Sequence, residues 1–129
     1  MAEFLSDEWV AELDAAARAA PDVQVSEVLV IETVVHDAAG DVGYQLRLGP
    51  DGASVAAAGT NPADVVLVTD RATAWALHQA TLRAQDAFAR GLLKVRGRPE
   101  LLADHTEVFA RVERAFTRVR EETTASRGR

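Results

Sequence analysis

The chain contains no cysteine. That removes a disulfide framework, a thiolate zinc site and a cysteine nucleophile together. Hydrophobic residues make up 48% of it, yet no uninterrupted apolar run approaches the roughly 20 residues of a membrane-spanning helix. The opening stretch, Met1 to Glu8, has acids where a secretory signal would have bases. A soluble, cytoplasmic protein is expected. Catalytic signatures are missing too: there is no Gly-x-Ser-x-Gly elbow, Gly-x-Gly-x-x-Gly turn or Gly-x-x-x-x-Gly-Lys loop. The histidines, His36, His78 and His105, lack the His-Glu-x-x-His spacing that sets two metal ligands on one helix face. Asp104-His105 and His36-Asp37 are sequence neighbours whose side chains point apart, so neither pair is an acid–base dyad. His78 and His105 fall on apolar stripes, where a core-edge histidine with one hydrogen bond is the ordinary reading and a base or ligand the sharper one. We expect no enzyme, no metal and no cofactor.

At 129 residues the chain suits one domain, residues 1–129, with one real core. Its net charge of −6 is uneven. Residues 1–82 hold 3 bases and 13 acids, whereas residues 83–129 hold 11 bases and 7 acids. Overall acidity argues against nucleic-acid binding, which needs a clustered basic surface to displace counterions. The basic portion is either a solvated helix face or a surface for anionic lipid headgroups.

Ser6 is an N-cap candidate, followed by Asp7 and Glu8 where the helix dipole favours acids. Leu5 and Val10 have the spacing of a hydrophobic staple across it. Trp9, Val10, Leu13, Ala16, Ala17 and Ala20 share one helical face, and Pro21 ends the segment. Val23 to His36 is rich in β-branched residues and apolar on both alternating faces, as in a strand covered on both sides. After a turn at Asp37–Asp41, Val42, Tyr44, Leu46 and Leu48 alternate with Gly43, Gln45 and Arg47, which predicts a half-buried strand with Gln45 on the open face. Turns at 49–52 and 59–62 flank a weaker strand over Ala53–Ala58, and Val65–Val68 makes a fourth. Beyond Asp70 a helix places Trp75, His78 and Leu82 on one stripe. A short turn carrying Phe88 then breaks at Gly91, where positive φ suits glycine, and Leu92–Arg96 forms the fifth strand. From Pro99 to about Glu122 one long helix is expected, with Leu101, Leu102, His105, Val108, Phe109, Val112, Phe116 and Val119 on a broad face. Residues from Thr123 onward read as a frayed tail. The order predicts an α+β domain: a five-stranded, mostly antiparallel sheet with helices on one face.

The stretch Ala87-Phe88-x-x-Gly91-x-Leu93-Lys94-Val95-x-Gly97, placed between a helix and a final long helix, resembles the sterol carrier protein 2 family. The likeness runs from about Val23 to the last helix. It implies an apolar tunnel between sheet and helices, walled here by Trp75, Leu82, Phe88, Leu92, Leu102, Phe109 and Phe116. For each of these the alternative is simple core packing. Arg90 departs from the uncharged polar residue common before that glycine; at the cavity mouth it would favour an acyl chain with an anionic head. Leu82-Arg83-Ala84-Gln85 replaces a glycine-containing stretch, which implies a differently shaped entrance. Lys94, Arg96 and Arg98 share one side of the fifth strand. They either keep a sheet edge soluble or attract a carboxylate, phosphate or lipid surface.

The resemblance thus implies binding, with transfer as a further expectation, of an apolar small molecule or lipid such as a fatty acid, an acyl thioester or a sterol-like lipid. Transient membrane-surface contact, and a monomer or homodimer, fit the same reading. Ligand release would require movement of the Asp70–Arg90 region. The end of the sequence, Ser126-Arg127-Gly128-Arg129, lacks the peroxisomal tripeptide of some eukaryotic family members. The rival reading is an accessory or dimerisation module with a closed core.

Overall fold

A computed structural model describes residues 3–123. Helix α1, Asp7–Ala19, begins at Ser6, whose side-chain oxygen accepts the Trp9 N–H at 3.1 Å, and its buried face is Trp9, Leu13 and Ala17. Strands β1 (Leu29–Asp37), β2 (Gly40–Gly49) and β3 (Gly52–Ala57) follow as an antiparallel meander. The first strand starts at Leu29 and not at Val23. Its partner β2 runs out at Gly49, where the chain turns into β3, so upstream only Val25 reaches a strand, donating to the Gly49 carbonyl at 3.1 Å.

Strand β4, Val65–Asp70, crosses to the far side of β1 and pairs with it in parallel; β5, Leu93–Gly97, adds antiparallel to β4. The sheet order is therefore β3-β2-β1-β4-β5. The crossing segment, residues 58–64, lies over the sheet face away from α1 and is tied there by side chains. Gln45 Nε2 donates to the Asn61 carbonyl at 2.6 Å and to Glu32 Oε1 at 2.8 Å, while its own oxygen accepts the Asn61 N–H at 3.1 Å. Gln45 is consequently 1% exposed, against the expectation of an open-face position. Its amide hydrogens and oxygen all have partners, so burial leaves little unpaired.

Asp70 caps helix α2, Arg71–His78, by accepting the Thr73 N–H at 2.8 Å. The helix stops at His78, and Ala80 turns back at φ 61°, so Leu82 falls beyond the predicted stripe. A short helix α3, Ala84–Ala89, precedes Gly91 at φ 75°, as anticipated for the change from helix to strand. Gly97 is needed for a second reason: at φ 88°, a Cβ there would collide with the Asp64 carbonyl.

The long final helix is divided into α4 (Glu100–Asp104), α5 (Thr106–Ala115) and α6 (Thr117–Glu122). The first break is at His105, with φ −124° and ψ 26°; its ring Nδ1 lies 2.8 Å from the Leu101 carbonyl. The ring supplies the partner that a regular next turn would have given that carbonyl. At Phe116 the N–H is shared between the Val112 and Glu113 carbonyls, a local tightening, and Arg120 N–H still reaches the Phe116 carbonyl at 2.8 Å. The core forms where α1 lies on the inner sheet face of Leu29, Ile31, Val35, Leu48, Val55 and Val65. The six residues after Thr123, on which most of the expected tail falls, lie outside the described residues.

Candidate ligand-binding site

Between α1, α2 and the sheet lies a nest of rings. Phe4, buried by the positive-φ bend at Leu5, meets Trp9 edge-on at a centroid distance of 5.0 Å and Trp75 at 5.1 Å. It stacks on His78 at 5.4 Å. Tyr44 closes the group against Trp9 at 5.2 Å. Edge-to-face pairs bring ring hydrogens onto the negative faces of their neighbours. Arg71 holds the entrance of this N-terminal segment, donating to Asp37 at 3.2 Å and to the Phe4 carbonyl at 3.4 Å.

His78 is the polar member of the nest. Its Nε2 lies 3.4 Å from the Trp9 indole nitrogen and 3.1 Å from Thr123 Oγ1. One nitrogen cannot both accept from the indole and donate to the hydroxyl, so the tautomer selects one partner. Burial, reinforced by the nearby Arg120 charge, pushes its pKa down to about 4. It is neutral at pH 7. Burial also raises the Tyr44 phenol to about 12, so that group stays protonated.

The eight residues predicted to hold a ligand divide. Trp75, Leu102, Phe109 and Phe116 are half-buried and packed on the core. Leu82 is half-buried in the turn after α2. Phe88, 59% exposed, Leu92, 37% exposed, and Arg90 are on the outer surface. Phe88 follows Ala87, which is fully buried and takes the inward position of α3; the adjacent residue must point away. Phe4, Trp9 and Tyr44 were absent from the predicted site. The signal for Phe4 was the staple at Leu5, one residue on.

The helical cover is open in its make-up. No residue of α4 is buried, only Val112 of α5 and only Val119 of α6. A groove of about 550 Å³ runs between α1 and the last helices, with Ala15, Ala16 and Ala19 on one side and Ala115, Arg118 and Val119 on the other. Glu12 lines it, with a buried Oε1 that has no partner among the described residues. The sequence-adjacent acid–base pairs form no dyad: His36 Nδ1 meets Asp41 at 2.7 Å across the hairpin, Asp37 holds Arg71, and His105 serves Leu101.

This architecture superposes on a crystal structure of sterol carrier protein 2 with a TM-score of 0.70, at 20% identity, over 92% of this chain and 98% of that one. The fold is that of sterol carrier protein 2. Palmitated sterol carrier protein 2-like 2 from Aedes aegypti is similar at a TM-score of 0.62 and 22% identity, over 80% of this chain and 93% of the other. A sec-alkylsulfatase carries a similar unit within 12% of its length, at 21% identity over 64% of this chain, with a TM-score of 0.52. No family model and no curated protein sequence matches the chain. The sterol carrier fold therefore rests on shape, with the sheet order and helical cover described above.

Proposed function

We propose that the protein binds an apolar ligand, a fatty acid, an acyl thioester or a sterol-like lipid, between the inner sheet face and the cover formed by α4, α5 and α6, without catalysing a reaction on it. The observation that carries this is the unsealed cover: Leu101, Leu102, Phe109 and Phe116 lie against the core only half-buried. Large apolar side chains in that state gain when a hydrocarbon replaces the water against them, at roughly 25 cal/mol per Å². An apolar site with few polar groups selects shape and hydrophobicity over a unique molecule. The palmitated structural neighbour supports the same chemistry. Transfer between a membrane and this site, in a cytoplasmic setting and by a monomer or homodimer, belongs to the same reading.

Native mass spectrometry of gently purified protein, with organic extraction of whatever is carried along, tests it. One lipid at defined stoichiometry is the expected result. Apo protein that also refuses offered fatty acids and sterols would sink it. A second reading, an interaction module with a closed core, is favoured by the similar unit inside the larger sec-alkylsulfatase. It requires concentration-dependent association without ligand uptake.

A further inference from the structure

The positive charge of this acidic chain is concentrated in residues 83–98, which hold five bases and one acid, Asp86. Residues 99–129 balance at six of each. In the structure this stretch is α3, the Gly91 turn and the edge strand β5. Arg83, Arg90, Lys94 and Arg96 are exposed and make no ion pair among the described residues, while Arg98 pairs with Glu100 at 3.4 Å. Phe88 and Leu92, both exposed, belong to the same stretch.

The protrusion is braced. Ala87 and Leu93 are buried beneath it, the Leu92 N–H donates to the Ala87 carbonyl at 2.8 Å, and Thr69 Oγ1 donates to the Leu92 carbonyl at 2.7 Å. Leu92, Lys94 and Arg96 border one shallow hollow of about 230 Å³, whose other rim includes His36 and Asp70. An exposed aromatic and an exposed leucine in the same stretch as four exposed cations without an ion pair among the described residues match the two layers of a lipid surface, phosphate above and hydrocarbon below.

We propose that residues 83–98 are the surface by which the protein docks on an anionic phospholipid bilayer, a role that rests on the lipid-binding reading above. Phe88 and Leu92 enter the headgroup region, and Arg83, Arg90, Lys94 and Arg96 face the phosphates. Such a contact places the ligand-binding domain at the membrane from which an apolar molecule is taken. Each cation near an anionic surface contributes about fivefold in partitioning at moderate salt, and the benzyl group about tenfold.

The test is sedimentation of the full chain with vesicles of phosphatidylcholine alone or with 30% phosphatidylglycerol. Binding is expected only to the anionic vesicles and should weaken on raising salt. Phe88→Ser should lower it about tenfold and the double variant Arg90→Gln/Lys94→Gln about twentyfold. Val28→Ser, at a residue 50% exposed elsewhere, should leave it unchanged. Thermal melts and fatty-acid uptake without vesicles are measured on the same proteins. Unchanged vesicle binding in both patch variants, or none by the parent, overturns the docking surface. So does Phe88-dependent self-association in vesicle-free solution, which would assign the patch to a second copy. Failure of fatty-acid uptake by the parent would instead strike the lipid-binding reading, because the vesicle result is read separately.

Discussion

The imidazole of His78 lies on the ring of Phe4, with centroids 5.4 Å apart and planes within 20° of parallel. Seventy-four positions separate them in sequence. The contact ties the N-terminal segment to the end of α2 and puts a titratable group inside the ring nest.

Because burial holds the folded pKa of His78 at about 4, against 6.5 for an ordinary histidine, the unfolded chain takes up this proton first as pH falls. The stability linked to it is complete above pH 6.5 and is lost as pH drops from there toward 4. Partial solvation of the ring keeps this contribution below the full conversion of the shift. Urea unfolding at several pH values should show this loss, and His78→Gln should flatten the step between pH 6.5 and 5, above most of the carboxylate titration.

Phe4→Ala should cost about 3 kcal/mol, the usual toll of an aromatic-to-alanine change in a packed interior. Phe4 is 3% exposed and contacts both tryptophans of the chain. A lower thermal midpoint with a shifted tryptophan emission is the expected pair of results. An unshifted emission would mean that the ring does not sit against Trp9 and Trp75.

Gly91 and Gly97 both have positive φ but differ in surroundings. A methyl at Gly91 meets open space, whereas one at Gly97 strikes the Asp64 carbonyl. Gly91→Ala should therefore cost about 1 kcal/mol, the backbone penalty alone. Gly97→Ala should cost at least twice that and broaden or abolish cooperative unfolding. Equal melting temperatures for the two variants would contradict the close β5–Asp64 approach.

Hydrogen exchange distinguishes the cover from the frame. Amides of α4 should exchange faster than those of α1 and β1, because α4 has no buried residue while α1 buries three. Added fatty acid should slow exchange across α4 and α5. The α2 segment, with Thr73 and Ala74 buried, should respond less. That outcome would place opening on the last helices, whereas fast exchange over Asp70–Arg90 that slows with ligand would place it where the sequence suggested.

Local chemistry was readable where a residue answers to its neighbours. The Ser6 and Asp70 caps, the φ of Gly91 and the alternation of Val42 to Leu48 each depend on a few adjacent positions. Gln45 was misplaced because its partner, Asn61, comes from a loop sixteen residues on, and alternation alone cannot see that a loop will cover a face. The division at His105 depends on a ring reaching back to Leu101, a contact that an apolar stripe conceals. Phe88 and Leu92 were placed in a tunnel wall by the family resemblance, and both are exposed in the structure. The buried Ala87 takes the inward position beside Phe88 in α3, and the buried Leu93 takes it beside Leu92 at the start of β5.

Asp64 receives more from the fold than its loop position suggests. Its backbone N–H and carboxylate exchange hydrogen bonds with the two backbone groups of Val30, at 2.9 Å each, and its carbonyl accepts the Arg98 N–H at 3.0 Å. The β1–β3 meander can form from neighbouring hairpins, but β4 must return across them to meet β1, a non-local and slower closure. Folding should thus proceed in two stages, with residue 64 as the seam where the late half, β4 and β5, is stitched onto the early one.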